Sequence, residues 1–213
     1  MISKFSVKLA ARRTSARHFG ATEKQVKQRI RSVSNIEKIT KAMKMVAASK
    51  VRGDLARLAA GQNFGHVAIT KMFEFDTYMQ RKAPPEEQQP KMFLVPFSSD
   101  RGLCGSINSS IVREVRDFIK GYEREKCKIL VIGDKGSAGL LRNFPDCVEQ
   151  CTSDLGSPMN FELISSIADR VASLSTGSDK ILIFYNEYVS AIRTDIKRME
   201  MMTRKRFYET MKF

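Results

Sequence analysis

The chain has 213 residues, 42% hydrophobic and 28% charged, a composition ordinary for a globular protein. Its 37 Lys and Arg against 23 Asp and Glu give a formal charge of +14, which calls for acidic partners such as nucleic acid, anionic lipid or an acidic protein surface. No apolar run approaches the roughly 20 residues of a membrane-spanning helix, so no direct membrane span is expected.

Five basic residues (Lys4, Lys8, Arg12, Arg13, Arg17) and no acidic ones lie in residues 1–22, among Ser and Ala. That composition reads as a mitochondrial presequence, with a disordered basic arm as the alternative.

Helix signals open at Thr22 and Glu23. Thr22 with Gln25 forms a capping-box pattern, and Glu23 suits the positive end of a helix. Apolar residues recur at Val26, Ile30, Val33, Ile36, Ile39, Met43, Val46, Val51, Leu55 and Leu58, mostly in steps of three or four. This is coiled-coil periodicity. Residues 23–60 as one helix span roughly 57 Å, longer than a compact domain needs. Between Lys24 and Arg57 there are ten Lys/Arg (Lys24, Lys27, Arg29, Arg31, Lys38, Lys41, Lys44, Lys50, Arg52, Arg57), opposed only by Glu37 and Asp54. One side of this helix must be buried against a partner, and the rest faces acidic surroundings. Gly61 and Gly65 bracket an expected break. Phe64, Ala68, Met72, Phe75 and Met79 continue a second helical stripe, so residues 23–80 form the helical segment.

Residues 81–90, with Pro84, Pro85 and Pro90, read as a linker. Beyond it, residues 92–97, 128–132 and 180–185 read as buried strands. Helical patterns lie between them at residues 107–120, 137–143 and 161–174, with Ser157 and Pro158 as the start signal of the last. The alternation predicts an α/β fold: a doubly wound, mostly parallel sheet over residues 91–197 with helices on its faces. Ile192, Thr194 and Ile196 indicate a further extended segment. Residues 198–213 form a short C-terminal segment with an amphipathic helix from Met199.

Two glycine-containing turns follow strands. Ser98-Ser99-Asp100-Arg101-Gly102-Leu103-Cys104-Gly105 comes after the first, and Gly133-Asp134-Lys135-Gly136-Ser137-Ala138-Gly139 after the second. Neither has the spacing of a P-loop or of a dinucleotide fingerprint. Tight strand-to-helix turns use glycine for their own geometry, so no cofactor site is expected, although specific ligand binding at either turn would indicate a nucleotide enzyme. Asp100 and Arg101 are expected to pair locally. Cys104, Cys127, Cys147 and Cys151 lack the paired spacing of a zinc site, and His18 and His66 lie elsewhere. No metal site is expected, and the cysteines read as free thiols of a reducing compartment. With so few histidines no catalytic set emerges. A basic helix also suits RNA or DNA, so a mitochondrial nucleic-acid-binding α/β protein is the alternative function; the apolar stripe favours a helix partner.

The run Ile30-Arg-Ser-Val-Ser-Asn-Ile-Glu-Lys-Ile39-Thr-Lys41-Ala-Met43-Lys44-Met45-Val46-Ala-Ala-Ser-Lys50 closely resembles the N-terminal helix of the gamma subunit of F-type ATP synthases. The turn Ser98–Gly105 is similar to that family's second signature, including Asp100, Arg101, Gly102, Cys104 and Gly105. Gly133-Asp134-Lys135 and residues 184–192 follow in the family's order. The resemblance spans residues 23–197.

It implies a non-catalytic rotor in the central stalk, on the matrix side of the mitochondrial inner membrane. The N-terminal helix would pair antiparallel with a second long helix and turn inside the ring of alpha and beta subunits. The α/β domain would sit on the membrane rotor ring with small central-stalk subunits. Carried over residue by residue, Lys41, Met43, Lys44 and Met45 meet the stator, while Ile36, Ile39 and Val46 serve coiled-coil packing. The second helix does not occur before Phe213, so a separate chain or a missing segment is expected to supply it.

Overall fold

The computed structural model describes residues 22–82, 89–156, 158–190 and 192–211. Residues 1–21 of the expected presequence (residues 1–22), with His18, lie outside them, as do Ser157 and most of the expected linker. Two compact units divide at Leu58 and Ala59.

The first helix, α1, is Glu23–Lys82. Its start follows the capping-box expectation. The Thr22 amide donates to Gln25 Oε1 at 3.0 Å, and the Val26 amide donates to the Thr22 carbonyl at 3.0 Å. The break expected at Gly61 and Gly65 is absent, and α1 runs on past residue 80. A glycine inside a helix keeps its amide hydrogen bond and costs only ~1 kcal/mol relative to Ala. Once a helix is nucleated, that penalty does not stop propagation. Met72 lies exposed on this part of α1, whereas the side chains of Phe64, His66, Phe75 and Met79 lie outside the described residues.

The remaining elements are β1 (Met92–Pro96), α2 (Ile107–Lys120), β2 (Cys127–Ile132), α3 (Asp134–Asn143), β3 (Val148–Thr152), α4 (Phe161–Leu174), β4 (Lys180–Ser190), β5 (Arg193–Met202) and α5 (Arg204–Met211). The sheet order is β3-β2-β1-β4-β5. The first four strands run parallel, and β5 pairs antiparallel with β4. This is the doubly wound, mostly parallel α/β arrangement that the strand–helix alternation predicts. From β1 the chain winds outward through β2 and β3, then returns to the other side of β1 for β4. The carboxyl end of β1 is therefore the topological switch point.

Side chains alternate across the sheet and fill both faces, as a parallel sheet requires. Met92 and Leu94 of β1, Ile129 and Val131 of β2, and Leu182 and Phe184 of β4 pack with Ile111, Val115 and Ile119 of α2 and Leu140 of α3. Phe93, Val95, Leu130, Ile132 and Ile181 face the other way, towards Ile167, Val171 and Leu174 of α4.

Besides α1, six elements differ from the sequence expectation. α3 opens at Asp134, ahead of the expected residue 137, and β4 runs on to Ser190, past residue 185. β3 was not foreseen; it is a short edge strand whose polar Glu149, Gln150 and Thr152 hide its periodicity. β5 extends to Met202, beyond the Lys197 limit expected for the domain, because Met199 and Met201 continue the alternation opposite Ile183 and Ile181. The last helix consequently starts at Arg204 and not at Met199. α4 is capped by Asn160, whose Oδ1 accepts from the Leu163 amide at 2.9 Å, in place of the expected Ser157–Pro158 start.

The β4–β5 pair is laced by charge. Arg198 lies 5.9 Å from the Phe118 ring centroid and 5.8 Å from that of Phe184, and its Nε donates to Glu114 at 2.8 Å. Glu187 and Asp195 sit opposite each other, a repulsive register. Lys197 lies 3.4 Å from Glu187, and Arg193 donates to both oxygens of Asp195 at 2.9 and 3.0 Å. That hydrogen bonding holds the Asp195 carboxyl below its ordinary range. Lys180 and Glu200 pair at 2.6 Å.

Cys127 and Cys147 are both buried in the core beneath α2 and α3. Burial, reinforced by Cys147, pushes the Cys127 thiol up to about 12 from 9.0. The folded state therefore holds this proton more tightly than the unfolded chain does. Its contribution to stability is intact below pH 9 and is lost as the pH climbs from 9 towards 12. Urea-unfolding midpoints measured across pH 8 to 11 are expected to fall more steeply for the wild-type chain than for Cys127→Ala.

Candidate functional site

Two features carry the candidate function: the surface of α1 and the turn after β1. On α1 the apolar stripe is uncovered. Ile36, Ile39 and Val46, expected to serve coiled-coil packing, are 59%, 55% and 59% exposed. Helical spacing sorts the neighbouring expected stator residues into two groups. Met43 lies four residues after Ile39 and three before Val46, so it shares their face of the helix. Lys41, Lys44 and Met45 are likewise three and four apart and share a different face.

Among the described residues, only two ion pairs form within residues 23–57. Lys27 lies 2.6 Å from Glu23, and Arg57 binds Asp54. Lys24, Arg29, Arg31, Lys38, Lys41, Lys44, Lys50 and Arg52 have no carboxylate partner among the described residues. Exposed helical pairs contribute about 0.3–0.5 kcal/mol each, so this surplus of positive charge is not accounted for by helix stabilisation. Its field is suited to an acidic surface.

The turn at residues 98–105 sits at the switch point and is braced from three sides. Ser98 Oγ donates to the Ile132 carbonyl at 2.8 Å and accepts from the Gly136 amide at 2.9 Å. The Ser99 carbonyl accepts from the Lys135 amide at 3.1 Å. Asp100 does not pair with Arg101 as expected. Its Oδ1 accepts from the Asp134 amide at 2.9 Å and its Oδ2 from the Leu155 amide at 3.0 Å. Carboxylate-to-amide bonds are the stronger kind, and two backbone donors outcompete a solvated guanidinium. Asn108, buried in the first turn of α2, was missed by the sequence reading. Its Oδ1 accepts from the Ser99 amide at 2.9 Å, and its Nδ2 reaches Ser99 Oγ at 2.8 Å and Cys104 Sγ at 3.1 Å. An Asn four residues past a cysteine gives no local signal; only the closed turn shows its purpose.

This bracing accounts for Gly133 and Gly136 in the second turn, where a Cβ would strike Ser98. The first-turn amides of α3 at Asp134, Lys135 and Gly136 are all taken by residues 98–100, where a bound phosphate would otherwise compete for them. Gly133 has φ +98°, and a Cβ there would fall 2.3 Å from the Ser98 carbonyl oxygen. Gly105 has φ +65°. Arg101 and Gly102 stay exposed, and Leu103, at φ 60°, is 99% exposed.

The fold and this turn lie within a family match. The model of the family described as ATP synthase matches residues 22–211. The chain belongs to the ATP synthase gamma family. The mitochondrial gamma subunit of Yarrowia lipolytica is 34% identical over 98% of this chain and 72% of its own length. That of Saccharomyces cerevisiae is also 34% identical, over 81% of this chain and 56% of its length. The chain thus spans about half of several gamma subunits that it matches. A solved central stalk and c-ring of the Tetrahymena thermophila mitochondrial ATP synthase contains a chain 40% identical to it, with a TM-score of 0.70 over 82% of this chain and 76% of that one. A rotor chain of the Euglena gracilis enzyme shares the fold at TM-score 0.66 and 18% identity, over 87% of this chain and 64% of that one.

Within this gamma-family domain, Asp100→Ala leaves two backbone amides without their acceptor and is expected to cost about 2–4 kcal/mol. Asp100→Asn, which keeps one acceptor oxygen, should lose less. Urea denaturation followed by circular dichroism checks both.

Proposed function

We propose that the chain is the rotor subunit of the central stalk of a mitochondrial ATP synthase, coupling rotation of the membrane ring to ATP synthesis on neighbouring subunits. The observation that carries this reading is α1: a family-matched helix with an exposed apolar stripe and a surplus of cations that have no carboxylate partner among the described residues. Such a helix serves as a shaft. Its stripe takes a second, antiparallel helix, while its basic face turns against acidic loops of the surrounding alpha and beta subunits. The names of the matched relatives support the mitochondrial setting, and the subunit works on the matrix side of the inner membrane.

In this reading the chain does no nucleotide chemistry. The braced turns support it, since the first-turn amides of α3 are committed to Ser98, Ser99 and Asp100. The α/β domain is the part that rests on the rotor ring with the small central-stalk subunits. Lys41, Lys44 and Met45 form the stator-facing group, and Ile36, Ile39, Met43 and Val46 form the packing group.

Reversing charge at Lys41 and Lys44 together is expected to lower proton pumping per ATP by about twofold or more, because the attraction to the acidic loops becomes repulsion. ATP hydrolysis should persist. Membrane vesicles carrying K41E/K44E, assayed in parallel for acidification and phosphate release, test it. Unchanged acidification would count against the stator contact.

A further inference from the structure

α4 is over-supplied with apolar surface. Eight of its fourteen residues are apolar, yet none is buried. Ile167, Val171 and Leu174 turn inward to the sheet. Phe161, Ala168 and Ala172 lie seven and four residues apart on an exposed side of the helix, one continuous outward stripe. Phe161 is 83% exposed, and Met159, just before the helix, is 45% exposed.

The local charge identifies the partner. Residues 144–179 hold six acidic residues and one basic residue, in a chain whose total is +14. The one basic residue, Arg170, is already engaged, donating from Nε to Gln150 at 2.6 Å. Glu162 and Asp169 are seven residues apart and flank the outward stripe along one edge. They and Asp154, in the loop before the helix, form no ion pair among the described residues. This is the reverse of α1: an apolar stripe bordered by negative charge.

We infer that the outer face of α4, anchored by Phe161, docks a basic amphipathic helix of another protein subunit. The partner's apolar residues cover Phe161, Ala168 and Ala172, and its Lys or Arg side chains reach Glu162 and Asp169. An anionic membrane surface would be repelled by this acidic edge, and a second acidic copy of α4 would repel itself. The inference goes beyond the rotor reading and does not depend on the contacts proposed for α1.

The test replaces Phe161 with the photoreactive p-benzoylphenylalanine in the chain assembled into its membrane complex. Illumination is expected to join position 161 to one other subunit, at a peptide that is net positive and helically amphipathic. Crosslinks to lipid, to a second copy of this chain or to an acidic peptide would overturn the inference, as would none from an incorporated chain. The same photoprobe at Met45 reports separately on the stator contact, so the two readings can fail independently. Should the Phe161 replacement block incorporation, the purified full chain decides. A fluorescent, roughly 14-residue Leu/Lys amphipathic helix should bind F161Q/A168Q about tenfold more weakly than wild type, because the apolar anchor is lost while the acidic edge stays. A Leu/Glu counterpart, attracted to basic α1, should bind both chains equally, and matching urea-unfolding midpoints of the two chains report on folding. Equal affinity for the Leu/Lys helix with equal Leu/Glu binding would also sink the idea.

Discussion

The α/β domain depends on one carboxylate. Asp100 stands where β1 ends and the winding direction of the sheet reverses, and its two oxygens hold the start of α3 and the segment after β3. Ser98 and Ser99 add hydrogen bonds to the same helix end. Three consecutive residues thus tie together elements that are distant in sequence. Gly133 permits the approach, because any side chain there would occupy the space of the Ser98 carbonyl. A turn that looks like a ligand cradle in sequence is a fastening, in which a side chain of the protein plays the part of an anion.

The long helix obeys a different constraint. Its apolar residues follow coiled-coil spacing from Val26 to Leu58, and they remain exposed. Hydrophobic burial is the chief favourable term in folding, so a stripe left uncovered is a requirement for a neighbour and not for more intramolecular packing. Its cations impose the matching electrostatic requirement. α4 carries the opposite charge pattern, so the same molecule presents a basic docking helix and an acidic one. This polarity favours defined placement in an assembly over indiscriminate adhesion, since the wrong pairing brings like charges together.

Legibility in the sequence followed how local each determinant was. α2 and α4 have the bounds that their periodicity predicts, because each is amphipathic over fourteen residues. β1, β2 and the first half of β4 are short apolar runs, equally plain. β3 was opaque, since an edge strand with polar residues shows no clean alternation. The second half of β5 was misread as helix: Met199, Met201 and Met202 suit either structure, and pairing with β4 decides. The glycines of α1 misled in the other direction. Among the candidate residues, the motif turn was visible, but Asp100's true partners and the role of Asn108 arise only when the chain closes on itself. Met43 and Met45, two positions apart in the motif, separate onto different faces once the helix turn is imposed.

The charges along β5 also bear on the life of the chain before it reaches any partner. An edge strand ten residues long offers a row of free amides and carbonyls, a template on which a stray chain can add itself. Here Arg193, Asp195, Lys197, Arg198 and Glu200 are all engaged with neighbours in the same domain. They hold a hydrated, electrically balanced fringe along that edge. An incoming strand would have to strip water from these ions and disturb pairs that are already satisfied, with no new opposite charge to gain. The fringe works as a guard against fibre growth, keeping a subunit fit for assembly while it waits in a crowded compartment.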